Sequence, residues 1–289
     1  MDAIRKGMEL CGFSEPEQLE LLGVREQLPP QAQALMEAAR QDYAGNREFP
    51  YTEYWQELER QLKPPLLYGA WYLLAMTLTP QMCAYYAESG LPQSCVEGAL
   101  RDIRHKLYEC RTRYGCAGWF SPKWFRNWFL AARTAFRRLQ FELRECPVDY
   151  PAGGIRSGDR VVFVHIPGGQ GPLDYEACLA DFRDAAALYA PQYPGGTVPF
   201  FCHSWLLNPY HPQFLPSKSR ILPFQQLFDI SEFREEPDGR FLWRLYGTDQ
   251  PDPAAMPERN SLERAYTAWM LQGGAIGEGF GFLLWKDQI

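Results

Sequence analysis

The sequence predicts an α+β protein: a helical first domain, residues 1–118, followed by a mixed β-sheet domain flanked by helices, residues 119–289. Two observations carry this. Up to about residue 110, apolar residues recur at three- and four-residue spacing in segments punctuated by Pro and Gly. Beyond residue 120, short apolar runs alternate with helical stretches and turn-rich loops.

The second domain centres on residues 161–189. Val161 to Ile166 is an apolar run interrupted only by His165, as expected of a strand buried on both faces. Gly168, Gly169 and Gly171 then leave backbone amides uncovered by side chains, and Pro172 suits the first turn of a helix. In that helix Tyr175, Cys178, Leu179, Phe182, Ala186 and Tyr189 form an apolar stripe. Glu176, Asp181, Arg183 and Asp184 fall opposite. A strand, a glycine loop and a helix N-terminus together bind anions, commonly a phosphate or pyrophosphate; the same glycines also serve simple chain reversal.

In the helical part, Ser14 with Glu17 and Ser94 with Glu97 have capping-box spacing. Three stripes follow: Ala32, Leu35, Met36, Ala39 and Tyr43; Tyr51, Tyr54, Trp55, Leu58 and Leu62; Val96, Leu100, Ile103 and Leu107. None contains a catalytic constellation, so they read as the core of a helical bundle. Ser121 and Pro122 open a further helix carrying Trp124, Phe125, Trp128, Phe129 and Phe136, and Leu139 to Glu145 alternates as a half-exposed strand. Val198 to Leu207 reads as another strand, and Gln213 to Leu227 as helical. Phe228–Phe233 and Phe241–Tyr246 read as a hairpin across EEPDG. The polar loop TDQPDPAAMPERN leads to a helix capped by Ser261, and GFGFLLW is a last strand.

Composition narrows the function classes. At 46% hydrophobic and 15% aromatic, the chain buries a large core. A net charge of −6 with both signs interspersed provides no basic stripe for nucleic acid. The longest apolar run, Leu66 to Leu78, is 13 residues, too short for a membrane span. The N-terminal stretch is charged throughout, unlike a signal peptide. Eight cysteines without a Cys-x-x-Cys pair point to reduced thiols and a cytoplasmic protein.

LQFE (Leu139 to Glu142), HIPGG (His165 to Gly169), CHSWLLNP (Cys202 to Pro209) and LPSKSRILPFQQLF (Leu215 to Phe228) resemble a bacterial family of acyltransferases. Its members have a helical N-acyltransferase N-terminal domain followed by a GNAT-like C-terminal domain. The resemblance implies acetyl-CoA or another acyl-CoA as donor, with pyrophosphate over Ile166, Gly168, Gly169, Gln170 and Gly171, and a small-molecule or amine acceptor. The loop departs from the family pattern of Gln or Arg, two residues, Gly, one residue, then Gly or Ala, because Gln170 is followed by Gly171, Pro172, Leu173 and Asp174. A rival reading is therefore a non-catalytic ligand-binding or interaction protein that keeps the fold.

Acyl transfer needs a base, oxyanion donors and a proton for the leaving thiolate. His165, beside the glycine loop, is a candidate base, or else a hydrogen-bonded anchor of the turn. Glu142 is the alternative base, or an ordinary exposed carboxylate. His203 follows Cys202, but neighbouring strand residues point to opposite faces, which disfavours a thiol–imidazole pair. Tyr210 is a candidate proton donor. Cys202, His203 and His211 match no zinc spacing, so no metal is assigned.

Overall fold

In the computed structural model, described for residues 2–45, 48–236, 238–248 and 252–286, the chain divides into two compact units, Met1–Ala135 and Phe136–Ile289. The first unit holds α1 (Ala3–Leu10), α2 (Glu15–Glu26), α3 (Pro30–Gly45), α4 (Tyr51–Gln61), α5 (Leu66–Glu88), α6 (Gln93–Tyr114), α7 (Lys123–Phe129) and the short strand β1 (Arg133–Ala135). Helix α5 is its axis: Gly69 to Thr79 is continuously buried, and α1, α2, α3, α4, α6 and α7 all pack against it. No helix among the described residues is long and apolar enough to cross a membrane.

The three apolar stripes lie on α3, α4 and α6. Ser14 and Glu17 form the capping box of α2, whereas Ser94 does not cap: α6 starts at Gln93 after Pro92. Helix α7 ends at Phe129, short of Phe136. The stripes did not disclose a buried ionic cluster on α6. Asp102, Lys106 and Glu109 are almost wholly enclosed, with Lys106 Nζ 2.9 Å from Glu109 and 3.5 Å from Asp102. Trp124 and Trp128 donate their indole N–H groups to Asp102 at 2.6 and 3.0 Å, so α7 is tied to α6 by a charge the chain cannot leave unpaired.

The second unit contains β2 (Gln140–Glu145), β3 (Arg160–His165), α8 (Tyr175–Tyr189), β4 (Thr197–Ser204), α9 (His211–Phe214), α10 (Ile221–Gln225), β5 (Asp229–Glu235), α11 (Leu242–Tyr246), α12 (Ser261–Leu271) and β6 (Gly277–Lys286). Its strands lie in the order β2-β3-β4-β6-β5, and the sheet is mixed. β3 and β4 are parallel, joined by α8, while β2 with β3, β4 with β6 and β5 with β6 are antiparallel.

On one face Phe182 of α8 packs edge-on against Phe141 and Phe200, at 5.7 and 5.0 Å between ring centres. On the other, Phe163, Phe201, Phe280 and Phe282 form a layer capped by the loop after β2, where Tyr150 stacks on Phe282 at 4.2 Å. Glycines on β6 serve close approach: a Cβ on Gly279 would stand 2.1 Å from the Leu207 carbonyl oxygen.

Several sequence expectations shift. Helix α8 begins three residues beyond Pro172, with Asp174 as its cap accepting from the Ala177 amide, so Pro172 belongs to the loop. β4 stops at Ser204, and Trp205–Leu207 turns into a single 3₁₀ turn. The helical stretch 213–227 is two short helices, α9 and α10. Phe241–Tyr246 is not a hairpin strand: it forms α11, and β5 pairs with β6 instead. A six-residue aromatic run has no periodicity to separate strand from helix. Of the turn and loop between them and α12, Pro237 and Asp249–Pro251 lie outside the described residues. Asn260, not Ser261, caps α12, accepting from the amides of Leu262 and Glu263.

Asp181 is the largest departure, being fully buried and not on a solvated face. Its carboxylate accepts the backbone N–H groups of Arg137, Arg138 and Leu139 at 3.0, 2.6 and 2.8 Å. Replacing it leaves buried amides without partners. Asp181→Ala is expected to destabilise by about 3 kcal/mol or more in urea unfolding, and a loss under about 1 kcal/mol would show that the brace is redundant.

Candidate active site

The parallel pair β3 and β4 defines the site. Their ladder runs from Val162↔Phe200 to Phe163↔Phe201, whereas β3 continues to His165 and β4 to Ser204. The C-terminal ends of two parallel strands thus leave the ladder, the position where α/β sheets bind ligands. The glycine loop starts there.

Gly168 and Gly169 are exposed, and Gly171 has φ +76° with nothing within 4 Å of where its Cβ would be. A left-handed turn open to solvent suits glycine. The side-chain amide of Gln170 is buried, with no hydrogen-bond partner among the described residues. Ile166 is half-buried. The loop's two shoulders are held by one side chain that sequence reasoning missed: buried Arg138 donates to the carbonyls of Pro167 at 2.8 Å and Pro172 at 3.3 Å. Arg138 stands immediately before the LQFE strand, and its neighbour Arg137 is more than half exposed, so only the turn fixed by Asp181 distinguishes the two.

Along β2 and β3, Gln140 lies opposite His165 and Glu142 opposite Phe163, so these four side chains share one sheet face. His165 Nε2 lies 3.5 Å from Glu142 Oε2, and Arg144 Nη1 lies 3.3 Å from Glu142 Oε1. The exposed-carboxylate reading of Glu142 is overturned: its side chain is 2% exposed and that of His165 17%. Alternation in sequence told only which residues share a face, and both faces at this end of β2 are covered. A buried carboxylate against an imidazole fixes the ring's orientation.

His203 on β4 has the same arrangement. Its Nε2 lies 2.7 Å from Glu278 Oε2 of β6, and its ring stacks on Phe280 at 4.0 Å. By strand register it shares the face of His165. Glu278 escaped sequence reasoning because β6 is distant in the chain; the GEGFGF alternation contains it, but nothing there shows its partner. Cys202 points to the opposite face, is buried, and its thiol pKa is raised by that burial and by the charge of Glu278, which leaves no thiolate for catalysis.

Tyr210 lies beyond the 3₁₀ turn, its ring edge-on to Phe233 at 5.5 Å and tilted against Trp269 at 6.0 Å. His211 is fully buried, with Nε2 2.5 Å from the Tyr266 hydroxyl. No group of three or more metal-type ligands occurs among the described residues.

Burial lowers the His211 pKa to about 4, against a backbone hydrogen bond that raises it. A folded-state pKa below the unfolded value means that stability is fully present above about 6.5 and is lost as pH falls toward 4. Wild type is expected to lose more stability between pH 7 and 4.5 than His211→Asn does, measured by urea unfolding. Parallel pH profiles would show that His211 titrates normally.

The family model described as GNAT-like C-terminal domain matches residues 135–283, and that described as N-acyltransferase N-terminal domain matches residues 2–130. No curated protein matches the sequence. Among solved structures, the chain is similar to an acyltransferase in complex with decanoyl-CoA, at 20% identity and TM-score 0.74, covering 96% of this chain and 86% of that one. It is also similar to an acyltransferase variant in complex with octanoyl-CoA, at 19% identity and TM-score 0.72, covering 97% and 87%. A third, an acyltransferase in complex with decanoyl-CoA and teicoplanin, is 18% identical with TM-score 0.65, covering 98% and 99%. At these identities the likeness is one of fold. On the two family matches, the chain belongs to the acyltransferase family in which an N-acyltransferase N-terminal domain precedes a GNAT-like C-terminal domain.

Proposed function

We propose that the protein transfers an acyl group from acyl-CoA to the nitrogen of a small-molecule amine. The observation that carries this reading is the juxtaposition at the end of β3. There a buried carboxylate and a histidine meet beside a glycine loop, where the parallel β3–β4 ladder ends. The solved acyltransferases of the same fold hold decanoyl-CoA or octanoyl-CoA, which supports a donor with a chain of that order over acetyl-CoA. The amides of Gly168, Gly169 and Gly171 would face the pyrophosphate, and Ile166 and Gln170 would flank it. Pro172 contributes no amide, but it lies at the loop's end, where its carbonyl serves Arg138.

In this reading His165, oriented by Glu142, removes one proton from the attacking nitrogen as the N–C bond forms. The C–S bond breaks, and CoA leaves as its thiol after taking up a proton. Tyr210 and His203, the latter held by Glu278, are the candidate donors of that proton. His203 is favoured, because it shares the sheet face of His165 and its side chain is 39% exposed. The unpaired cysteines fit a reducing compartment, which supports a cytoplasmic location.

Decanoyl-CoA at 100 times its dissociation constant should stabilise the protein by about 2.7 kcal/mol in a thermal-shift assay. No stabilisation at millimolar decanoyl-CoA or acetyl-CoA would remove the donor from the account. His165→Ala is expected to lower transfer about 100- to 10,000-fold while keeping donor binding; full turnover, or an unfolded variant, would make His165 an anchor. Gly169→Val is expected to weaken donor binding with only a modest loss of stability, because the residue is exposed. A large stability loss at unchanged affinity would assign the glycines to backbone geometry alone.

A further inference from the structure

Gln140 is fully buried, yet neither its amide nitrogen nor its amide oxygen has a hydrogen-bond partner among the described residues. Leaving such a group unpaired costs roughly 1–3 kcal/mol, so a side chain kept in this state calls for a role. Its place suggests one. Gln140 stands directly opposite His165 in the β2–β3 ladder and two residues before Glu142, on the same face as both. Directly opposed strand residues have Cβ atoms about 4.5–5.5 Å apart, so the carboxamide neighbours the imidazole.

The side of β3 matters. The ladder ends between β3 and β4, on one flank of His165, while Gln140 on β2 stands on the other flank. On the proposed reading, on which this inference rests, the thioester enters from the β4 flank. The group on the β2 flank therefore meets the other substrate.

We propose that Gln140 binds the acyl acceptor: its Oε1 receives an N–H of the incoming amine and its Nε2 donates to an oxygen on the adjoining atoms of that substrate. The acceptor class is thus an amine with a neighbouring hydroxyl, ether or carbonyl oxygen. A neutral carboxamide suits the task because the attacking nitrogen must be uncharged, and a buried carboxylate in the same place would hold it as ammonium. The carboxamide supplies both a donor and an acceptor without adding charge.

Hydroxylamine is the probe, because it carries both groups and is small. The measurement is hydroxamate formation from decanoyl-CoA by wild type, Gln140→Met and Gln140→Leu, with the thermal midpoint of each protein, free and with decanoyl-CoA. Both variants are expected to lose tenfold or more in kcat/KM for hydroxylamine, mainly through KM, with unchanged stabilisation by decanoyl-CoA. Their free midpoints should equal or exceed that of wild type, because an unpaired amide has been removed. Variants that melt several degrees lower, or fail to fold, would show the amide to be satisfied structurally and overturn the proposal. So would a hydroxamate rate within twofold of wild type, or a wild type that is stabilised by decanoyl-CoA yet forms no hydroxamate. A wild type that decanoyl-CoA does not stabilise would instead remove the donor reading beneath it.

Discussion

The second unit depends on one buried carboxylate. Asp181, on α8, takes three consecutive backbone N–H groups from the turn that precedes β2. That turn sets where β2 begins and aims Arg138 inward, where its guanidinium holds the Pro167 and Pro172 carbonyls at the two shoulders of the glycine loop. The same contact also fixes the position of Gln140 and Glu142, because both follow from the strand's starting point. One side chain thus couples the helix, the strand that carries Glu142, and the loop that starts beside His165. Charge-assisted hydrogen bonds in a low-dielectric setting are strong enough for this role and too costly to leave half made.

On this sheet face polar groups are placed within an aromatic layer. Phe163, Phe201, Phe280 and Phe282 exclude water from the middle of the face, while His165 with Glu142 and His203 with Glu278 stand toward the end where β3 and β4 leave their ladder. Each imidazole has its own carboxylate, but the two differ in exposure, 17% against 39% of the side chain. On the proposed reading, the enclosed histidine takes a proton and the wetter one returns it. The face opposite is plain core: Phe141, Phe182 and Phe200 interlock there, and Cys202, buried on the same face, is a neutral thiol.

Much of this was legible in the chain. The β3–loop–α8 stretch announced itself through an apolar run, clustered glycines and an amphipathic helix, and His165 stood out as the one polar residue in the Val161–Ile166 run. What stayed hidden was long-range. Glu142 reads as a surface residue because β2 alternates, and burial on both faces is decided by neighbours that alternation does not encode. Asp181 sits among charged residues on a helix, so its inward direction depended on unsatisfied amides 42 to 44 residues away. The 241–246 run forms a helix, and the strand that pairs with β5 is β6, more than 30 residues later.

The central claim, that the glycine loop held by Arg138 is where the donor binds, is tested most directly by amide hydrogen exchange with and without decanoyl-CoA. The account predicts slowed exchange in the peptide covering Gly168 to Gly171, and little change at Arg137 to Leu139, whose amides Asp181 already protects. Saturating decanoyl-CoA that leaves Gly168 to Gly171 exchanging at the free rate, while protecting another segment, would contradict it.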